Sequence, residues 1–112
     1  MNLPNLEGYV IYNPDTGMYS KGGSYGVFSP RPKIWSSIGA VKNHLALYIN
    51  NRYDRYDKLE SSVNISKHYM GCVVLNLVDG TEPFKIHDYM KDKAEREAHY
   101  YGYKLVDEWN QP

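Results

Sequence analysis

The feature that most constrains the fold is the stretch of residues 8–47, where turn, bend and helix signals follow one another closely. The alternating apolar segment GYVIYN leads into the turn sequence NPDTG. In that turn Pro14 presets φ and Gly17 supplies a positive φ. A return strand from Met18 follows, then a glycine-rich bend, a short strand at residues 25–28 and a proline-rich connector. The stretch therefore predicts a β-hairpin with a third strand, leading into a helix.

The predicted helix spans residues 37–50. Ser36 or Ser37 can provide the N-cap, and Trp35 stands directly before it, where a hydrophobic staple would anchor the helix entry. A buried stripe with helical spacing is predicted for Ile38, Val41, Leu45, Tyr48 and Ile49. Lys42 and Asn43 lie away from that stripe, and His44 lies at its border.

The second half of the chain adds a strand and a long helix. The run CVVLNLV at residues 72–78 is short and rich in β-branched residues, which is typical of a central strand. From residue 86 to 101 apolar residues recur about every four positions, and Gly102 fits a helix stop. The predicted stripe of this helix consists of Ile86, Met90, Ala94, Ala98 and Tyr101. Asp92 and Arg96 form a favourable i,i+4 pair on its polar side.

Three segments leave alternatives open. Residues 51–67 extend the first helix or form a surface loop, with a strand beginning at Val63 and Ile65. Residues 103–109 form a short strand or a packing tail, and residues 1–7 form a loose arm. We therefore predict an α+β fold in one small domain spanning 1–112. In it, a small antiparallel sheet, the hairpin plus a strand at 72–78, packs against two helices at 37–50 and 86–101.

Charge and cysteine content limit the function classes. The 112 residues include 13 basic and 13 acidic side chains, so the net charge gives no overall attraction to nucleic acid or anionic membranes. Residues 1–55 nevertheless carry six basic and three acidic groups, a net +3 that the other half balances. The lone Cys72 lies in an apolar run, and no signal peptide or membrane-spanning run is recognised, which favours the cytoplasm and no membrane association.

Motifs for catalysis or cofactor binding are absent from the sequence. Four histidines are scattered without metal-ligand spacing, and a single cysteine argues against structural zinc. The GGSYG segment lacks the lysine and serine or threonine of a phosphate-binding loop, so it is interpreted as a strand connection. Glu95 with His99, and Asp88 with Asp92, are interpreted as surface pairs. We expect no cofactor and no catalytic residue.

The most suggestive pattern combines aromatic and basic residues. The chain has 12 tyrosines against two phenylalanines, and tyrosine suits both a wet core edge and a contact surface. Rings beside cations also hold single-stranded nucleic acid. The alternative is that Tyr25, Phe28 and Trp35 belong to the core and that the cations are simply solvated. The candidate partner-binding residues are Tyr19, Lys21, Tyr25, Arg31, Lys33, Lys42, Asn43, Arg52, Tyr53, Arg55 and Tyr56.

Residues 8–45 resemble the opening of small, mostly uncharacterised proteins of tailed bacteriophages. In that pattern a Y-x-IYN-x-x-TG-x-Y hairpin precedes a tryptophan and a GA-x-KNHL helix. The matching positions are Tyr12, Asn13, Thr16, Gly17, Tyr19, Trp35, Gly39, Ala40, Lys42, Asn43, His44 and Leu45. The resemblance assigns no catalytic residue. It implies a phage accessory protein of the host-takeover or anti-defence kind, in the manner of an anti-CRISPR protein, acting in the host cytoplasm by occupying a host protein.

Three functional hypotheses follow. The first is a non-enzymatic inhibitor that binds a host protein. The second is a nucleic-acid-binding module that uses the aromatic and basic face, and the third is a small enzyme built on clustered histidines and carboxylates. A homodimer is a further option, because the two halves of the chain carry opposite charge. Several tyrosines exposed on one face would favour the first hypothesis.

Overall fold

A computed structural model describes residues 7–23, 26–57 and 60–111. Two helices and two sheets give an α+β fold in this part of the chain, as predicted. The elements follow one another as β1 (Tyr9–Asn13), β2 (Met18–Ser20), β3 (Phe28–Ser29), α1 (Ile38–Ala46), β4 (Ile49–Arg52), β5 (Ser62–Ile65), β6 (Val73–Asn76), α2 (Ile86–Tyr101), β7 (Lys104–Asp107) and a 3₁₀ turn (Glu108–Asn110). The predicted arm falls almost entirely on residues 1–6, outside the described ranges.

The predicted hairpin and the strand after Cys72 belong to one four-stranded antiparallel sheet, called here the hairpin sheet. Its order is β3-β2-β1-β6. The hairpin turn forms as expected: Gly17 has a φ of 71°, and its N–H donates to the Asn13 carbonyl at 2.9 Å. The third strand, expected at residues 25–28, is instead Phe28–Ser29. Strand β6 is Val73–Asn76, which is shorter than the strand predicted at residues 72–78. Val78 lies beyond it and is 70% exposed.

The second sheet, called here the mixed sheet, was not predicted. Its order is β4-β5-β7, with β4 antiparallel and β7 parallel to β5. Val63 and Ile65 do lie on a strand, which is buried along its whole length. The segment 103–109 resolves as β7 and the 3₁₀ turn.

The first helix is shorter than predicted. Ser37, not Ser36, is the N-cap, and its Oγ accepts from the Ala40 N–H at 3.1 Å. The helix ends at Ala46, so the prediction of helix to residue 50 was wrong: Ile49 pairs with Ile65 in the mixed sheet. An apolar pair such as Tyr48 and Ile49 suits a helical stripe and a strand equally, and pairing with β5 decides between them.

The second helix has the predicted bounds. Its buried stripe is Ile86, Met90, Ala94 and Ala98. Tyr101 was wrongly assigned to that stripe, since it is 44% exposed. Gly102 ends the helix in the left-handed conformation, at φ 72°, as expected of a glycine stop. Arg96 and Asp92 pair at 3.0 Å.

The core forms where α1, α2 and the two sheets meet. Its fully buried members include Ile11 and Val74 of the hairpin sheet, Ile65 of the mixed sheet and Met90 of α2. Each sheet takes strands from both halves of the chain, so the two oppositely charged halves do not form separate bodies. Neither helix in the described ranges has the length and apolar character needed to cross a membrane.

Candidate interaction surface

Five tyrosines, four of them exposed and Tyr103 half-buried, gather at one end of the mixed sheet. Tyr100 and Tyr101 touch at 5.0 Å between ring centroids, and Tyr101 stacks on Tyr103 at 5.3 Å. Tyr103 is 6.5 Å from Tyr53, and Tyr56 lies three residues further along the same loop. Their exposures are high: 71% for Tyr53, 91% for Tyr56 and 82% for Tyr100. These five residues are called the tyrosine surface.

A tight turn after β4 presents Tyr53 and Tyr56. Asp54 Oδ1 accepts from the N–H groups of Tyr56 at 2.9 Å and Asp57 at 3.0 Å. These two backbone hydrogen bonds hold the pKa of the Asp54 carboxyl below its usual value. Ser61 Oγ accepts from the Asp54 N–H at 2.8 Å and ties the turn to the start of β5. The two tyrosines therefore project from a hydrogen-bonded turn.

The end of α2 supplies the remaining rings. The left-handed Gly102 directs its N–H to the carbonyls of Ala98 and His99, and the Tyr103 N–H donates to Ala98 O at 2.9 Å. This reversal sends the chain directly into β7. It therefore places Tyr103 beside Tyr101, on the side of the sheet end where Tyr53 lies.

Two shallow concavities flank the tyrosine surface. One, of about 390 Å³, is lined by residues of the turn after β4: Arg52, Tyr53, Asp54, Arg55, Tyr56 and Glu60. The other, of about 380 Å³, lies between β4 and the last turns of α2 and is lined by Asn51, Lys93, Arg96, Glu97, Tyr100 and Tyr101.

Of five described cations near the tyrosine surface, three have carboxylate partners and two do not. Lys93 pairs with Glu97, Arg96 with Asp92, and Lys104 with Glu60. Within the described ranges Arg52 and Arg55 form no ion pair. The Arg55 guanidinium lies over the Tyr56 ring at 5.6 Å, a cation–π contact. Both guanidinium groups therefore remain available to a carboxylate or phosphate of a binding partner.

The structure brings four of the predicted candidates together and separates the others from them. Arg52, Tyr53, Arg55 and Tyr56 line one concavity. Tyr25 lies outside the described residues. The remaining candidates lie on or near the hairpin sheet and α1: Tyr19, Lys21, Arg31, Lys33, Lys42 and Asn43. No hydrogen bond, ion pair or ring contact among described residues joins this second group to the tyrosine surface.

Three members of that second group contact aromatic rings elsewhere in the chain. Tyr19 packs on Tyr12 at 5.0 Å between centroids. Lys33 lies over the buried Trp35, and Lys42 lies over Phe84 at 5.1 Å. Trp35 is core, as one of the two sequence interpretations held.

Sequence reasoning missed Tyr100, Tyr103, Lys93 and Arg96. The adjacent Tyr100 and Tyr101 at a helix end were the available signal, because two neighbouring helical residues point in different directions and cannot both face the core. Tyr101 was assigned to the buried stripe by its spacing alone.

The histidines take part in separate interactions. His44 Nε2 lies 2.5 Å from the Tyr69 hydroxyl, which also lies 2.7 Å from Ser20 Oγ; all three residues are buried. His68 stacks on Tyr48 at 4.8 Å, and its Nε2 has no hydrogen-bond partner among described residues. Burial lowers the pKa of both imidazoles, and the charges of His68 and Lys33 lower that of His44 further. Burial also raises the pKa of the Tyr69 hydroxyl.

A second histidine site couples α2 to the C-terminal turn. His87 Nε2 lies 2.6 Å from Asp107 Oδ2, and the imidazole stacks on Trp109 at 4.5 Å. Trp109 Nε1 donates to the Ser66 carbonyl at 2.8 Å. His99 is exposed on the last turn of α2. The described residues contain no group of three or more histidine, cysteine, aspartate or glutamate side chains placed to hold a metal ion.

Comparison with known proteins gives no relative: no family model, curated protein or solved structure matches this chain.

Proposed function

We propose that this chain is a non-catalytic binding protein whose tyrosine surface occupies and inhibits a protein of a bacterial host. The observation that carries this proposal is the run of contacting rings at one end of the mixed sheet, all of them exposed except the half-buried Tyr103. Contiguous exposed apolar area on a small protein is typical of an interaction site. Tyrosine and arginine are also the residues most enriched where binding energy concentrates in protein interfaces.

The surface is suited to binding because its geometry is set before a partner arrives. The turn at Asp54 and the left-handed Gly102 fix the backbone on both sides of the rings. Tyrosine side chains have few rotatable bonds, so their immobilisation costs little conformational entropy. A partner that covers these rings therefore gains apolar burial at a low ordering cost. We place the partner in a bacterial host because residues 8–45 resemble the opening of tailed-bacteriophage proteins.

Capture from a bacterial lysate tests this proposal when it is done with matched variants. The wild-type chain and Val78→Ser, which changes an exposed apolar residue beyond the hairpin sheet, should recover the same stoichiometric protein. Tyr53→Ser/Tyr100→Ser should recover at least about tenfold less, because loss of one strong contact residue already costs about 2 kcal/mol. Equal recovery by all three chains, or recovery of no stoichiometric protein, would contradict the proposal.

Single-stranded nucleic acid is the second candidate ligand. Arg52 and Arg55 have no ion-pair partner in the described ranges and lie beside Tyr53 and Tyr56. Cations beside exposed rings are the elements of a strand-binding surface. Titration with labelled oligonucleotides at low and high salt decides this candidate. Binding that weakens steeply with salt and is lost in Arg52→Gln/Arg55→Gln supports it, whereas weak, salt-independent binding removes it.

A further inference from the structure

Among the described residues, strand β4 pairs with β5 on one side and leaves the other edge of the mixed sheet unpaired. The Ser66 N–H donates to the Tyr48 carbonyl at 3.0 Å, and this bond sets the hydrogen-bonding register. Because bonded and non-bonded pairs alternate along antiparallel strands, Asn50 and Arg52 direct their backbone groups toward β5. The N–H and C=O groups of Ile49 and Asn51 therefore point outward from the sheet.

The free edge lies between the two concavities. Side chains alternate along a strand, so Asn51 and Arg52 point to opposite faces of the sheet. Asn51 lines the concavity beside α2, and Arg52 lines the one beside the turn. An extended peptide that paired with β4 would direct alternate side chains to these same two faces. One set would reach Arg52 and Arg55, and the other would reach Tyr100 and Tyr101.

Charge at this edge favours a partner segment over a second copy of the chain. Arg52 and Arg55 lack ion-pair partners within the described ranges, while Asp54 accepts hydrogen bonds from its own turn and Glu60 pairs with Lys104. Antiparallel pairing of β4 with β4 of a second copy would supply no carboxylate to Arg52 from the strand itself, because the strand sequence INNR contains no acidic residue. An acidic segment would instead pair with Arg52 and Arg55.

We infer that β4 binds an extended, acidic segment of the partner protein as an added strand. The segment's backbone bonds to Ile49 and Asn51, its carboxylates face Arg52 and Arg55, and its alternate apolar side chains pack on Tyr100 and Tyr101. Strand addition of this kind obtains affinity from the main chain and specificity from the pockets for alternate side chains. The inference rests on the proposed function, because it assigns a binding mode to the same surface.

Selection of a random octapeptide library on the full chain tests the inference. The selected peptides should alternate acidic and apolar residues. Asn51→Pro should bind them at least about tenfold more weakly, because proline removes an outward N–H while leaving the bonds to β5 intact. Asn51→Ala is the matched control, because it retains the backbone N–H, and it should bind the peptides at least about tenfold more tightly than Asn51→Pro does. The unfolding midpoints of both variants verify that they are folded.

A second measurement acts on the peptide, so it does not depend on the folding of any variant. N-methylation of the peptide amides that face β4 should abolish binding. N-methylation of the alternate amides, which face away from β4, should leave binding intact. No enriched peptide, or enriched peptides that tolerate both methylation patterns, would overturn the inference. So would binding that Asn51→Pro leaves unchanged in a folded chain.

The inference and the proposed function can fail separately. If Tyr53→Ser/Tyr100→Ser loses the captured protein and Asn51→Pro retains it, the tyrosine surface binds a partner without strand addition. If the free chain is a dimer that Asn51→Pro converts to a monomer, the edge belongs to a second copy and the inference is overturned. If oligonucleotides selectively displace the bound peptide, the edge binds nucleic acid and the inference is overturned.

Discussion

The Tyr69 hydroxyl is the centre of the buried polar network. It lies within hydrogen-bond distance of both His44 Nε2 and Ser20 Oγ, residues from α1 and the hairpin sheet. Ser20 Oγ in turn accepts from the Gly22 N–H at 3.0 Å. Buried groups of this kind cost more when left unpaired than they contribute when paired. The network therefore makes the helix and the sheet depend on one side chain.

Replacement of Tyr69 by phenylalanine tests that dependence. Tyr69→Phe keeps the ring, leaves His44 Nε2 without its hydrogen-bond partner and removes one of the two partners of Ser20 Oγ, so we expect a loss of about 1–3 kcal/mol in the free energy of unfolding. Urea titration measures it. Tyr12→Phe is the control, because the Tyr12 hydroxyl makes no hydrogen bond among described residues, and it should change stability by less than about 0.5 kcal/mol. Equal effects of the two variants would contradict the account.

The buried His44 and the partly buried His68 predict a pH dependence of stability. The folded pKa values of His44 and His68 lie below the unfolded value, so the unfolded chain binds protons that the folded chain does not. Stability is then fully present above about pH 6.5 and falls as the pH drops from there through the folded pKa values. Urea titrations from about pH 7 to about pH 5 should show this decline. His44→Gln should make it shallower, and a stability that rises as the pH falls would contradict the assignment.

At the scale of elements, the sequence was most informative where the signals are local. The hairpin turn, the bounds of α2 and the Gly102 stop depend on neighbouring residues, and each was predicted correctly. The mixed sheet depends on distant pairing, because β5 and β7 are parallel strands separated by α2. Strand β4, with the sequence INNR, has no β-branched alternation to reveal it. Pairing with β5 turns this polar segment into a strand, and no local pattern predicts that.

Two glycines at helices should respond to alanine in opposite directions. Gly102 has a φ of 72°, so Gly102→Ala should destabilise the chain by about 1 kcal/mol. Gly39 lies inside α1 with only Ser37 Oγ, at 3.9 Å, near an added Cβ, so Gly39→Ala should stabilise it by about 0.5–1 kcal/mol. Thermal unfolding of the two variants measures both effects. A shift in the same direction for both would contradict the assigned helix ends.

At the scale of the whole molecule, the described residues divide their tyrosines between core and surface. Tyr69 is fully buried, whereas Tyr53, Tyr56 and Tyr100 are largely exposed. The composition indicated a contact surface but not its location, because the rings come from the turn after β4, the end of α2 and the residue before β7. Arg52, Tyr53, Arg55 and Tyr56 could be predicted because they are close in sequence. Tyr100 and Tyr103 join them only through the mixed sheet, which the sequence did not reveal.

Site-specific photo-crosslinking in bacterial cells tests the central claim most directly. A photoreactive phenylalanine analogue at position 100 replaces an exposed ring of the tyrosine surface, and the same analogue at position 78 is the matched control. The account predicts one discrete crosslinked protein from position 100, lost when Tyr53→Ser is added, and none from position 78. A discrete adduct from position 78 alone, or none from position 100, would contradict the claim that the tyrosine surface binds a partner protein.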